Sequence, residues 1–229
     1  MRILISLLIL LSPSISFAQG KSEEGRQVQC RFLSFGSNGK QSALNASAPG
    51  GDKIPCPLSA SRISDPIVCI ALDNKINFTS PDDATLQAVA TIPSGVRSAI
   101  LIFLPASKSA PLPWKVITIN DSAKGFPPGG ALVANFHKGD IRYIIGEHKG
   151  ALHQADTKTY AMPTKRDSFN MAPVIFEFQQ DDDWRKANES ALRFLPGVRY
   201  LFFAYTDPRS KRPRIKTYKD FSTVSASNP

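Results

Sequence analysis

The sequence predicts a mainly β protein built as an antiparallel β-sandwich, and three observations carry that prediction. Short runs of β-branched and aromatic residues recur along the chain, each bounded by Pro, Gly, Ser, Asn or Asp. Some runs alternate in polarity, whereas "AILIFL" (99–104) and "YLFFAY" (200–205) are apolar on both faces and suit central strands. No βαβ rhythm is present, which argues against a parallel α/β sheet.

Taken in order, the chain opens with a leader. Residues 1–18 hold one basic residue, Arg2, then an apolar run over 3–11, then small and polar residues ending in Ser16-Phe17-Ala18. Small side chains at Ser16 and Ala18 suit a signal peptidase, so cleavage before Gln19 is expected, which makes the protein exported, periplasmic or extracellular. The apolar run is shorter than the roughly 20 residues a membrane-spanning helix needs. No later segment is apolar enough to span, so no transmembrane segment is expected after cleavage. No cysteine follows the cleavage site, which argues against a lipid anchor.

"VQCRFLSF" (28–35) reads as the first strand of the mature chain. Residues 37–62 are rich in Gly, Ser, Ala, Asn and Pro and read as a long loop. "PIVCIAL" (66–72), "KINF" (75–78), "LQAVATI" (86–92), "SAILIFLP" (98–105) and "WKVITI" (114–119) follow as strands. Cys30, Cys56 and Cys69 all fall in this part. In an oxidising compartment one disulfide and one free thiol are expected. Cys30–Cys69 and Cys56–Cys69 both fit, and spacing does not choose between them. A zinc site is disfavoured, since no Cys-x-x-Cys pair or nearby histidine accompanies them.

Next comes "KGFPPGG" (124–130). A phosphate-cradling glycine loop aims backbone N–H groups at an anion, yet Pro127 and Pro128 have none to offer, and the segment beyond Gly130 alternates as a strand. The segment therefore reads as a structural corner. Phe126 plugs the core edge, the prolines fix φ, and Gly129 permits the reversal. Asp121 and Ser122 are placed to hydrogen-bond the corner's backbone. In "ALVANF" (131–136), Leu132, Ala134 and Phe136 face one way and Ala131, Val133 and Asn135 the other; Asn135 is the polar residue of most interest there.

"IRYIIG" (141–146), "VIFEFQ" (174–179), "RYLFFAY" (199–205) and "RIKTYK" (214–219) complete the strands. Between the last three, residues 183–195 read as a short helix: acidic residues precede Trp184, Trp184, Ala187, Ala191, Leu192 and Leu195 suit one face, and Pro196-Gly197 would end it. An extended "SALRFL" arm (190–195) is the competing reading. A single β-rich domain over 19–229 is the simpler organisation; two small sandwiches, 19–124 and 125–229, are the alternative. No internal repeat is visible.

The pattern of an apolar strand, a strand leading to Asp121-Ser122, then Phe-Pro-x-Gly from Phe126 and a strand ending in Asn135 resembles a group of secreted bacterial β-rich proteins with no known activity. The "DDDWRK" and "RPRIKTYKD" segments fit the same pattern, and the resemblance covers roughly residues 85–220. It implies exported β architecture and carries no catalytic residues. A looser likeness, through "ALVANF", "IRYIIG" and "FLPGVRYLFFAY", is to immunoglobulin-like domains of bacterial surface proteins.

Charge adds the remaining signal. The chain carries a formal net charge of +9, of which the leader removes one. Arg209, Lys211, Arg212, Arg214 and Lys216 concentrate the excess near the end of the chain, beside Lys219. A basic stripe can hold an anionic polymer or membrane headgroups; a solvated turn and strand face is the plainer reading, because no aromatic platform is interleaved as nucleic-acid binding would ask. No nucleic acid is expected as a partner, and another envelope protein or an anionic polymer is.

Catalytic signatures are thin. Asp181–Asp183 lack the spacing of a calcium loop. His137, His148 and His153 do not form a compact metal motif. Asp140, Glu147, Asp156 and Glu177 are the acids available to a glycan hydrolase, which needs two carboxylates facing a cleft. Ser61, Ser94 and Ser168 lack a nucleophile elbow. Trp114, Trp184, Tyr143, Tyr160 and Tyr200 could stack on sugars or a partner but suit the core or rim of a sandwich. The expectation is an exported, non-enzymatic binding, adaptor or structural protein without metal or cofactor. The alternatives are a carbohydrate-active or other hydrolase using unmarked carboxylates, and a binder of anionic polymer or envelope through the basic stretch.

Overall fold

The computed structural model describes residues 25–36, 43–181 and 183–221; the expected leader and its expected cleavage point lie outside them, as does Asp182. The protein is mainly β, as its sequence pattern requires. Eight strands form its first half: β1 (Arg26–Ser34), β2 (Leu44–Ser47), β3 (Lys53–Cys56), β4 (Ile67–Ala71), β5 (Lys75–Thr79), β6 (Leu86–Thr91), β7 (Ser98–Pro105) and β8 (Trp114–Asn120). Eight more form the second: β9 (Ala131–Asn135), β10 (Ile141–Ile145), β11 (His148–Leu152), β12 (Thr157–Tyr160), β13 (Met171–Gln180), β14 (Asp183–Arg193), β15 (Arg199–Thr206) and β16 (Pro213–Asp220).

These strands make four four-stranded sheets. In the first half the orders are β4-β1-β7-β8 and β3-β2-β5-β6; in the second they are β12-β9-β15-β16 and β11-β10-β13-β14. Adding eight to each strand number of the first half gives the second half's connectivity. The repeat that is invisible in the residues is thus present in the topology. Most pairings are antiparallel, while β1 with β7 and β9 with β15 run parallel at equivalent places.

Three apolar clusters order the layers. Val28, Cys30, Phe32, Leu101 and Phe103 face Leu44, Ala46, Ile76, Phe78 and Ala88 in the first sandwich. Val133, Tyr200 and Phe202 face Tyr143, Val174, Phe176 and Phe178 in the second. The reverse faces of β7 and β15 meet between the halves, where Ile100 and Ile102 join Leu201 and Phe203 with Leu33, Phe35 and Phe126. This explains the two doubly apolar runs. Each buries one face in its own sandwich and the other in the layer between the halves.

Two elements differ from the sequence expectation. Residues 183–193 are a strand and not a helix: β14 pairs antiparallel with β13 from Gln180↔Asp183 to Met171↔Arg193. Its exposure alternates beyond the bulge at Ala187, with Asn188, Ser190 and Leu192 turned toward the sandwich, so the extended arm describes it. The sequence expectation of a long loop over 37–62 also gives way, because β2 and β3 form a hairpin there. Leu44 and Ala46 alternate into the core and pair with Cys56 and Ile54.

The expected disulfide is not formed: Cys30, Cys56 and Cys69 are free and buried. The register sets Cys69 opposite Val28 and Ile67 opposite Cys30, so the two thiols are diagonal neighbours. Diagonal neighbours lie about 7–8 Å apart, somewhat less at Cβ, against about 3.5–4.5 Å between the Cβ atoms of a bridge. A thiol hydrogen bond with Cys69, together with burial, pushes the Cys30 thiol up, and burial pushes Cys56 up.

Candidate functional site

The corner segment carries the chain between the halves. Ser122 caps it: its Oγ accepts from the Gly125 N–H at 3.0 Å and its carbonyl accepts from the Phe126 N–H. Gly129 takes φ +72°, and a Cβ at Gly130 would meet the Tyr160 carbonyl at 2.3 Å, so both glycines are required by their surroundings. Pro127 and Pro128 precede them in the turn, and Phe126 is fully buried, as a plug should be.

Asp121 does not join Ser122 in capping. Its carboxylate is buried in an ion cluster between the two inner sheets. Arg199 Nη2 lies 2.7 Å from Asp121 Oδ1, and Arg31 Nη1 lies 3.3 Å from Oδ2. Arg31 also reaches Asp220 at 2.6 Å, and Arg199 Nε reaches it at 3.0 Å. Arg199 further donates to the Phe126 carbonyl at 3.0 Å and lies over that ring at 4.2 Å. Two guanidiniums and two carboxylates balance. Burial pulls the Arg31 guanidinium down, and its contacts with Asp220 and Asp121 outweigh that and hold it above the ordinary arginine value. With each charge paired and all four side chains buried, this cluster joins the halves.

Asn135 is likewise internal. Its Nδ2 donates to the carbonyls of Gly139 and Leu152, and its Oδ1 accepts the His137 N–H at 2.9 Å, closing the loop between β9 and β10. The candidate acids are each separately placed. Asp140 hydrogen-bonds exposed His153, Glu177 pairs with Arg142, and Asp156 lies on the exposed turn before β12. Glu147 accepts the N–H groups of Thr164 and Lys165 and the Thr164 hydroxyl. Burial pushes Glu147 up, but those donors prevail and bring it down to about 2. Among the described residues no group of three or more His, Cys, Asp or Glu is placed to hold a metal ion.

A basic cleft of about 560 Å³ opens at the edge of the second sandwich. Phe178 and Gln180 of β13 form its inner wall; Arg185, Lys186 and Ala187 of β14 line one side, and Arg212, Pro213 and Arg214 the other. Its geometry follows from topology. β14 and β16 are the edge strands of the two sheets of that sandwich, so the cleft is the mouth between two open edges. Ala187 is the extra residue of a β-bulge, since Glu177 pairs with Lys186 and Phe176 with Asn188. Bulges bend and twist an edge strand, here beside the cleft. Across it, Asp207 folds the turn before β16 by accepting the N–H groups of Arg209 and Ser210.

Of the five basic residues expected from sequence, Arg212 and Arg214 line the cleft. Arg209 and Lys211 stand exposed on the turn, and Lys216 lies over the Tyr218 ring at 5.6 Å. Arg185 and Lys186, which the sequence pattern places on a helix, join Arg212 and Arg214 at the cleft from β14. Lys186 is held by Glu189 at 2.6 Å. The guanidiniums of Arg185, Arg212 and Arg214 have no hydrogen-bond or ion-pair partner among the described residues.

Comparison with family models finds no match, and comparison with curated proteins finds none. Among solved structures, a non-hemolytic pneumolysin from Streptococcus pneumoniae strain ST306 is similar at 12% identity with a TM-score of 0.31, over 75% of this chain and 33% of that chain. The chain thus spans about a third of that protein, and a likeness so low carries no argument about fold or activity.

Proposed function

We propose that this protein is an exported, non-enzymatic binding protein whose basic cleft holds an anionic polymer of the cell envelope or its surroundings. The observation that carries the reading is the convergence of Arg185, Arg212 and Arg214 on one concave edge. Guanidinium groups present a planar fork of donors that fits carboxylate, sulfate and phosphate alike. β14 of one sheet and the start of β16 of the other, with the turn before it, supply them, so the fold and not local sequence brings the charges together. The leader over residues 1–18 supports the export half of the reading.

Binding of the mature protein to polyglutamate and to dextran sulfate tests it. Affinity should fall steeply with added salt, because exposed charges attract over a Debye length of about 10 Å at 0.1 M. The triple change R185A/R212A/R214A should weaken both polymers at least tenfold at unchanged Tm. An unchanged affinity would overturn the proposal. The mature N-terminus, sequenced from culture, should be Gln19.

A further inference from the structure

A second depression lies beside the cleft. On the solvent face of the β11-β10-β13-β14 sheet lies a groove of about 310 Å³, lined by Arg142, Ile144, Lys149, Ile175 and Glu177, among others. Lys186, which lines the first, is the cross-strand partner of Glu177, which lines the second. Cross-strand neighbours are about 5 Å apart, so one extended chain could occupy both. At that junction the Arg142 guanidinium lies 4.7 Å from the Trp184 ring centroid and pairs with Glu177.

We infer that the ligand is an acidic polysaccharide, its charged groups held in the basic cleft and its ring faces laid along the groove beside Ile144, Ile175 and Trp184. The inference rests on the reading of the cleft as a polyanion site. Its own observation is the chemistry of the groove, which mixes an apolar floor with a fixed donor–acceptor pair. A pyranose has an apolar face and a rim of hydroxyls. The isoleucines and the Trp184 indole suit the face, while Arg142 donates to and Glu177 accepts from hydroxyls. A nucleic acid fits poorly: Tyr143 is buried and turned to its 2.8 Å hydroxyl contact with Tyr160, so it offers no second stacking face beside Trp184 for serial base stacking. A polyanionic polypeptide would use the cleft but gain nothing from the groove.

Three probes separate these outcomes: polygalacturonate, polyglutamate of matched charge, and an oligothymidylate. Wild-type protein should bind polygalacturonate at least tenfold tighter than polyglutamate at 0.3 M salt. W184A should remove most of that difference while leaving polyglutamate affinity and the salt dependence unchanged. Because Trp114 and Trp184 are the only tryptophans, the W114F protein gives a second readout. Its emission should shift with polygalacturonate and not with polyglutamate. Equal affinities for the two polyanions, an unmoved emission, or tighter binding of the oligothymidylate would overturn the inference while leaving the cleft reading intact. Binding to none of them even at low salt would overturn both.

Discussion

At the scale of single residues, the structure turns on charges whose partners are far away in sequence. Asp121 was legible as a residue of the corner, but the side chains it meets, Arg31 and Arg199, stand 90 and 78 positions away; no local pattern encodes them. Removing one member of a buried, hydrogen-bonded ion group leaves charge uncompensated and costs about 3–5 kcal/mol. Asp220 accepts two contacts from each arginine, from Arg31 through both oxygens and from Arg199 through Oδ2, whereas Asp121 makes one contact to each. Asp220→Ala should therefore destabilise more than Asp121→Ala in urea unfolding, and the reverse order would refute this assignment. Glu147 gives a pH test. Its folded value is about 2 against an ordinary 4.5, so its contribution is fully present above about pH 4.5 and is lost as pH falls through about 2. The Tm advantage of wild type over Glu147→Gln should be largest at pH 6 and shrink toward zero near pH 2. A constant advantage across that range would show that the ionised carboxylate is not what holds Thr164 and Lys165.

At the scale of elements, strands with a strongly apolar face were legible, and short strands with little apolar content were not. "SAILIFLP" and "RYLFFAY" declare themselves because both faces are buried. β11 and β12 are short edge strands, "HKGAL" and "TKTY", with little apolar content to mark a face. β14 misled for a physical reason. The bulge at Ala187 adds one residue to an alternating strand, and the altered period places Trp184, Ala187 and Ala191 at spacings that a helix also satisfies. Half of the candidate site went unread for the same reason, since Arg185 and Lys186 lie next to the bulge. Deleting Ala187 leaves the pairings on either side in register, Glu177 with Lys186 and Phe176 with Asn188. The fold should survive that deletion with Tm shifted by a few degrees. The straightened edge should carry Arg185 away from Arg212 and Arg214, and polyanion affinity should drop severalfold. Undiminished binding would mean that the bulge does not shape the cleft.

At the scale of the molecule, two halves with the same strand order present equivalent faces to one another, and the equivalence extends to single positions. Arg199 pairs with Asp220 across β15 and β16, and the Asp121 N–H bonds the Ser98 carbonyl across the corresponding edge of β7, so the two aspartates occupy the same place in each half. Between the halves, Phe35 of the first inserts its ring among Phe136, Phe203 and Tyr205 of the second, at centroid distances of 5.4, 5.2 and 5.3 Å. A shared apolar layer plus a shared ion cluster makes each half's unfolding expose the other's surface, which is the condition for cooperative loss of both. Calorimetry of the wild-type protein should show one transition with matching calorimetric and van't Hoff enthalpies. Phe35→Ala removes a ring held from three sides, a change that costs about 3–5 kcal/mol in a core, and removes it from the interface alone. It should split the transition into two, the first half and the second half melting separately, while the basic cleft, built wholly from β13 to β16, still binds polyanion below the later transition. Two transitions already present in wild type would show that the halves are stable independently and that the layer between them is only contact.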